Sequence, residues 1–224
     1  MVDVGEPLEL SAIEARVLGA LLEKELTTPD GYPMSLNALT MACNQSSNRD
    51  PVVHHEPRSV ETTVLVLKTK GLARVVHPGS GERVTKYRQV ADEALSLSRA
   101  ERALLCVLLL RGAQTVAELR TRTERLHPFA AAGEVEAVLA GLAGRERPLA
   151  AAVDRQPGQK EGRWIQLLEA DAEHRAAVTV APRVTAAARD DSRVEALERQ
   201  VAALDARLRA LVEALGDLVQ LSED

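Results

Sequence analysis

The sequence predicts a mainly α fold with small β-hairpins (α+β), built as two tandem winged-helix domains followed by a C-terminal amphipathic or coiled-coil helix. Three observations support this prediction: capped helical patterns of apolar residues, an order of three helices and a hairpin that occurs twice, and a heptad repeat near the C-terminus. We place the first domain at residues 1–92, the second at 93–170, a connector at 171–190 and the heptad helix at 191–221.

The first domain has three helical patterns, and each is preceded by a serine that can cap the first turn. The capping serines are Ser11, Ser35 and Ser59, and the helices extend to about Leu26, Cys43 and Lys70. The third helix has a core face that consists of Val60, Val64 and Leu67. The strands of a hairpin are predicted at Leu72–His77 and Val84–Val90, around the turn Pro78–Gly81.

The second domain repeats this order, and the repetition is the strongest argument for the fold. The patterns that recur are 10–14 at 97–101, 60–67 at 135–142 and 86–90 at 163–167, with offsets of 87, 75 and 77 residues. Thr115 begins a further short helix with a capping box, and strands are predicted at Leu149–Val153 and Arg163–Leu168. Because the offsets differ while the order holds, the loops differ in length and the architecture is the same.

The C-terminal segment contains four heptads with apolar a and d positions. These seam residues are Val194, Leu197, Val201, Leu204, Leu208, Leu211, Leu215 and Leu218. Valine at a with leucine at d favours two strands, so we expect a homodimer. The apolar stripe widens at Val212 and Val219, and docking of this helix on the chain's own domains stays open as the alternative.

The composition predicts a cytoplasmic protein without a membrane span. No stretch of 18 uncharged apolar residues occurs, and Met1–Glu9 lacks the features of a signal peptide. Cys43 and Cys106 lie in apolar helical patterns, which favours buried free thiols in a reducing compartment. The charge is +1 over residues 8–90, +2 over 98–169 and −4 over 170–224, whereas strong DNA-binding domains are far more basic.

One stretch of the first domain resembles the YceH-like family of bacterial proteins. The resemblance lies in the runs Leu10–Leu18, Glu23-Lys24, Thr27–Asp30, Tyr32-Pro33, Ser35–Thr40, Ala42–Gln45 and Ser47–Pro51. It covers about 40 residues and is highly specific, while the second domain and the tail are compatible with the family but less diagnostic. The resemblance implies a tandem winged-helix fold and supplies no activity, ligand or cofactor.

The first domain contains the candidate DNA contacts, because a winged helix places its third helix in the major groove. These candidates are Arg49, Arg58, Thr62, Lys68, Lys70, Arg83, Lys86 and Arg88. The face opposite the core, Thr62, Leu65, Val66 and Thr69, has no Arg, Asn or Gln to contact base edges. The basic residues therefore point to phosphate contacts, which position a protein without reading sequence. The polar loop from Asn44 to Pro51 is open to two interpretations, backbone capping and a contact surface.

The second domain offers no comparable surface. The equivalent helix face is Ala137, Ala140, Gly141 and Gly144, and we expect it to pack on another element. Arg120, Arg122 and Arg125 are interpreted as a solvated helix end.

Nothing in the sequence assembles a catalytic site. It contains no phosphate-binding, nucleophile-elbow or zinc-protease motif, and we expect no enzyme activity and no cofactor. His54-His55-Glu56 lacks a further ligand nearby, so no metal is expected. Two hypotheses follow: a DNA-binding protein, most simply a transcriptional regulator acting as a dimer, or a winged-helix scaffold that binds a protein without touching DNA.

Overall fold

The computed structural model describes residues 8–79, 84–153 and 161–169, all within one compact unit of the chain, residues 1–180. Within these ranges the chain forms α-helices and two small antiparallel sheets, which confirms the predicted mainly α fold with hairpins. The heptad seam from Val194 to Leu218 lies outside the described residues. None of the described helices is long and apolar enough to cross a bilayer.

The elements have the following bounds. The helices are α1 (Ala12–Thr27), α2 (Leu36–Cys43), α3 (Pro57–Thr69), α4 (Ala91–Ala94), α5 (Arg99–Arg111), α6 (Val116–Thr123) and α7 (Ala132–Ala143). The strands are β1 (Met34–Ser35), β2 (Ala73–Val76), β3 (Lys86–Gln89), β4 (Ala150–Val153) and β5 (Arg163–Gln166). The first half, residues 8–92, and the second half, residues 93–169, each contain the predicted order of helix, helix, helix and hairpin.

The predicted caps form in both halves. Ser11, Ser98 and Thr115 each make both hydrogen bonds of a capping box, with Glu14, Glu101 and Glu118 as the respective partners. The third helix of the first half differs from the prediction, because it begins at Pro57 and not after Ser59. A proline is well suited to the first turn of a helix, where its missing N–H has no intrahelical partner to lose.

Two short elements were not predicted. β1 pairs with β3, so the first hairpin becomes a three-stranded sheet in the order β1-β3-β2, with Met34 opposite Tyr87. The helix α4 occupies the linker after β3. An element of two or four residues is too short to show a period, so its sequence contains no signal that pattern analysis can use.

The first helices of the two halves, α1 and α5, pack against each other and join the halves into one core. At the crossing, a β-carbon added to Gly19 would lie 2.9 Å from the Leu110 side chain and 3.2 Å from the Leu109 β-carbon. Glu25, near the end of α1, accepts a hydrogen bond at 2.8 Å from Arg102, near the start of α5. It also accepts one at 2.7 Å from Gln89 of β3. α1 and α5 therefore run in opposite directions, and a residue larger than glycine at position 19 would require the Leu110 side chain to move.

An approximate two-fold relation between the halves follows from the residues at this crossing. Gly19 and Cys106 are equivalent under the 87-residue offset, and the Cys106 Sγ lies 3.5 Å from the Gly19 carbonyl oxygen. In a two-fold interface, a residue that contacts its own equivalent lies on the axis. The start of each half also hydrogen-bonds to the end of the other half. The Leu10 N–H donates to the Leu168 carbonyl oxygen, and the Leu97 N–H donates to the Asp92 carbonyl oxygen.

Candidate nucleic-acid interface

The third helix of the first half, α3, has one buried and one exposed side, as predicted. Val60, Val64 and Leu67 are fully buried. On the opposite side, 45% of Leu65 and 40% of Val66 is exposed. Leucine and valine at such exposure leave an apolar surface in the middle of the helix, where no described element covers it.

Two threonines flank these apolar residues, and both hydroxyls donate back to their own helix. Thr62 Oγ1 donates to the Arg58 carbonyl oxygen at 3.0 Å, and Thr69 Oγ1 donates to the Leu65 carbonyl oxygen at 3.2 Å. The four side chains Thr62, Leu65, Val66 and Thr69, called the methyl face below, therefore have no unused donor. As predicted, this face contains no group that could donate to a base edge.

Arg58 and Lys68 lie near the two ends of α3, and both are exposed. Ten residues of α-helix separate their positions by about 15 Å along the axis. The structure gives neither side chain an ion-pair partner among the described residues. These two cations thus frame the methyl face with charge that is available to a ligand.

Arg49 is not available to DNA, so this candidate was wrong. Its side chain is fully buried and forms a two-pronged ion pair with Glu23, at 3.1 Å and 2.6 Å. The remaining donors bond the Ala42 carbonyl oxygen, at 2.8 Å and 3.0 Å, and the Gln45 side chain at 2.9 Å. Burial by itself would raise the pKa of Glu23, but the Arg49 guanidinium outweighs it and the pKa is lowered. A guanidinium with this set of partners is a structural group.

The loop from Asn44 to Pro51 is held from both sides, which supports its interpretation as a structural element. Arg16 donates to the carbonyl oxygens of Cys43 at 3.2 Å and Pro51 at 2.6 Å. The side-chain amide of Asn44 makes two bonds to the backbone of His55, at 2.8 Å and 2.9 Å. These bonds fix the residues just before α3 and so position the start of that helix.

The same loop also contacts the second half. Asp50 N–H donates to the Leu110 carbonyl oxygen at 2.9 Å, and Arg111 donates to the side chain of Asn48. The loop that precedes α3 is thereby fastened to the end of α5. Sequence reasoning missed Arg16 in this arrangement, although a charged residue in the apolar stripe of α1 is a signal that could have found it.

Lys70 also has a structural partner. Its Nζ lies 2.8 Å from Glu14 and donates to the Glu9 carbonyl oxygen at 2.6 Å. The 75-residue offset makes Arg145 its equivalent in the second half, and Arg145 binds Glu101 at 2.6 Å. A cation that ties the end of the third helix to the start of the first helix in both halves belongs to the fold, so Lys70 is a weak candidate for a DNA contact.

The hairpin offers a mixed surface. Arg88 and Arg74 both bind Glu93, at 3.1 Å each, and all three side chains are partly or largely exposed. Exposed ion pairs of this kind are weak, so the two arginines keep some capacity for another anion. Lys86 is half-buried in β3, and Arg83 lies outside the described residues. The basic groups of the hairpin are thus partly neutralised by their own chain.

The second half presents a different third helix. The equivalent face of α7, Ala137, Ala140, Gly141 and Gly144, is exposed, and a β-carbon added to Gly141 would meet nothing within 4 Å. We expected this face to pack on another element, and no described element covers it. The large apolar side chains that are exposed in the described ranges all belong to the first half: Met41, Val52, Leu65, Val66 and Val84.

The two cysteines are buried and free, as predicted. Burial raises the pKa of the Cys43 thiol to about 12, which keeps it protonated at neutral pH. His54 is exposed, while His55 is half-buried and its backbone is bonded to Asn44. Nowhere in the described ranges do three His, Cys, Asp or Glu side chains form a cluster of the kind that holds a metal ion.

Comparison with known proteins identifies relatives along most of the chain. A family described as "Protein of unknown function, DUF480" matches residues 10–159. A UPF0502 protein of Solibacter usitatus is 50% identical, over 88% of this chain and 93% of its own length. A UPF0502 protein of Klebsiella pneumoniae and the UPF0502 protein YceH of Salmonella paratyphi A are each 45% identical, over 93% of this chain and 99% of their own length. The chain therefore belongs to the DUF480/UPF0502 family, in agreement with the YceH-like motif between Leu10 and Pro51.

Proposed function

We propose that the protein binds double-stranded DNA through α3 of its first half and acts as a transcriptional regulator. The observation that carries the proposal is the position of Arg58 and Lys68, exposed at the two ends of a helix whose outer side is free. Their separation of about 15 Å along the helix is comparable to the major groove of about 12 Å. A helix in the groove could thus direct one cation to the phosphates on each side.

The binding that we propose depends mainly on phosphates. The methyl face has no donor for a base edge, and the net charge of residues 8–90 is only +1. Phosphate contacts give register and affinity without sequence information, and their strength falls with salt. We place the protein in the cytoplasm, and we propose that pairing of the seam residues between Val194 and Leu218 gives a homodimer.

Salt-dependent fluorescence anisotropy of labelled duplexes tests the proposal. We expect the full chain to bind random and genomic duplexes at low salt. The slope of log K against log salt concentration is negative. The double variant Arg58→Ala/Lys68→Ala should reduce its magnitude by about two, roughly one for each phosphate contact. Arg120→Ala/Arg125→Ala removes the same charge from exposed residues of the second half and should leave the slope unchanged.

Two results would contradict the proposal. The first is the absence of binding at low salt for every duplex. The second is an equal loss of slope in the two double variants, because this would mean that net charge alone, and not the position of the cations on α3, governs the interaction.

A second candidate function is that of a protein-binding scaffold, and the exposure of Leu65 and Val66 favours it. An apolar centre with charged residues at its rim is the usual composition of a protein interface. For this candidate we expect no DNA binding. We expect a purified partner protein to bind the Arg58→Ala/Lys68→Ala variant and not the Leu65→Asp/Val66→Asp variant. Circular dichroism would establish that both variants are folded.

A further inference from the structure

The methyl face is the part of α3 that phosphate binding does not use. Its four residues are adjacent on the helix, since they are three or four positions apart. Leu65 and Val66 present methyl groups, and the hydroxyl donors of Thr62 and Thr69 are taken by their own helix. The surface between the two cations therefore consists mainly of methyl groups and offers no hydrogen-bond donor.

The major groove presents one apolar group to such a surface, the C5-methyl group of thymine. The other groups on the groove floor are hydrogen-bond donors and acceptors: the N7 and O6 of guanine, the N4 amino group of cytosine, the N7 and N6 of adenine, and the O4 of thymine. A methyl face that covers these polar groups removes their water without replacing its hydrogen bonds, which is unfavourable. An A·T pair differs from a G·C pair in presenting a methyl group as well, and a methyl face that covers this group buries apolar area on both sides.

We propose that the methyl face packs on the C5-methyl groups of thymine, so that the protein prefers A·T-rich duplexes without a hydrogen bond to any base. The inference rests on the proposed function, because it requires α3 to lie in the major groove. Arg58 and Lys68 supply the charge complementarity that brings this apolar surface to a nucleic acid and not to an apolar partner. The preference is for a chemical group and is therefore independent of the order of the bases.

The second half provides an internal comparison for this assignment. The 75-residue offset makes Ala137, Ala140, Gly141 and Gly144 of α7 the equivalents of the four methyl-face residues. An alanine presents one methyl group and a glycine none, so this face offers less apolar area to the groove than the methyl face, although this helix is also exposed. Of the two third helices, α3 therefore has the larger apolar area for a contact with methyl groups in the groove.

Uracil differs from thymine only in lacking the C5-methyl group, so anisotropy with two duplexes of the same sequence isolates the contact. We expect the thymine duplex to bind roughly fourfold more tightly for each methyl group that is buried. Leu65→Ala/Val66→Ala should remove most of this difference while retaining the salt dependence. Thr62→Ser, which deletes one methyl group and keeps the hydroxyl, should remove a smaller part of it.

A second pair of duplexes gives an independent measurement. A G·C-rich duplex in which 5-methylcytosine replaces cytosine has methyl groups at the corresponding place in the major groove, and it should bind more tightly than its unmethylated form. The Arg58→Ala/Lys68→Ala variant should weaken binding to the methylated and unmethylated duplexes by the same factor.

The outcomes separate the two proposals. Equal affinity for thymine and uracil duplexes overturns the methyl contact and leaves the DNA-binding function intact. A preference for thymine that persists unchanged in Leu65→Ala/Val66→Ala overturns the assignment to this face. If no duplex binds at low salt, the DNA-binding function fails and the methyl contact fails with it.

Discussion

In the first half of the molecule the end of the third helix is tied to the start of the first by Lys70 and Glu14, and in the second half Arg145 and Glu101 make the same connection. The outer faces of the two third helices nevertheless differ in composition. α3 exposes Leu65 and Val66, whereas α7 exposes alanines and glycines. The comparison teaches that the two halves share these interior connections and differ in the outer faces of their third helices, so the proposed contacts can be assigned to one half alone.

A buried glutamine gives a second example of a shared interior. Gln89 and Gln166 end the last strands of their halves, and their side-chain oxygens accept from the N–H groups of Asp92 and Glu169, respectively. Asp92 and Glu169 are themselves equivalent under the 77-residue offset. Each half therefore closes its hairpin in the same way.

The loops between the second and third helices differ most in how they are held. In the first half the buried Arg49–Glu23 pair anchors the loop, whereas the loop of the second half contains the buried apolar side chains Leu126 and Phe129. Loss of one partner of a buried ion pair leaves a buried charge uncompensated, so the first-half loop should be sensitive to a change at Arg49.

Arg49→Ala should have the largest effect, a loss of about 3–5 kcal/mol in the free energy of unfolding, because it leaves the Glu23 carboxylate with only the longer ion pair to Lys24, at 3.4 Å, and the Ala42 carbonyl without its donor. Urea denaturation followed by circular dichroism measures it. The matched control is Arg58→Ala, an exposed arginine without an ion-pair partner in the described ranges, for which we expect a change within about 0.5 kcal/mol. Equal stability of the two variants would show that the loop does not depend on its buried charge.

Two glycine substitutions should have opposite signs. Gly19→Ala places a β-carbon 2.9 Å from Leu110 at the α1–α5 crossing, and we expect a net loss of about 1 kcal/mol after the gain in helix propensity. Gly141→Ala has open space on the exposed face of α7 and should gain about 0.5–1 kcal/mol. Thermal unfolding of both variants tests this, and a stabilised Gly19→Ala would mean that the crossing is looser than the structure shows.

The two capping glutamates should have equal and smaller effects. Burial would raise the pKa of Glu14 and of Glu101, but hydrogen bonds from Lys70 and Ser11, and from Ser98 and Arg145, outweigh it and both pKa values are lowered from 4.5. Each ionised carboxylate therefore stabilises the fold above that pH, and this contribution is lost as the pH falls through the folded pKa.

We expect Glu14→Gln and Glu101→Gln each to cost up to about 1 kcal/mol at pH 7, because glutamine keeps the capping-box acceptor and loses the ion pair with Lys70 or Arg145. The difference from the unsubstituted chain should shrink below about pH 4. Melting temperatures at the two pH values measure both effects. A large effect of one substitution and none of the other would contradict the equivalence of the two halves.

The helices were predictable from the sequence because each signal is local. Ser11 and Ser98 have their glutamates three residues away, and the core stripe of α3 has a clear period. β1 was not predictable, since its pairing partner Tyr87 lies more than fifty residues away and its two residues show no alternation. Local patterns therefore predicted the order of elements, and the long-range pairings needed the structure.

The candidate site was predictable only in part. The exposure of Leu65 and Val66 follows from the helix period, so the apolar outer face could be derived. The burial of Arg49 could not, because a polar loop around an arginine has the same sequence character whether the arginine binds phosphate or a glutamate of its own chain. The partner of a charge is a tertiary fact, and Glu23 lies 26 residues away in sequence.

The crossing of Gly19 and Cys106 on the approximate two-fold axis has a consequence for how this chain can vary. In a homodimer every substitution occurs twice, so a change at the axis or on a third helix must suit both copies at once. In this chain the two residues on the axis belong to different positions of one sequence, so each can be substituted alone: one is Gly19, and its equivalent is Cys106. Two halves joined in one chain can therefore differ: one third helix can have side chains that suit a ligand while the other has alanine and glycine on its outer face. The two identical copies of a symmetric dimer cannot differ in this way.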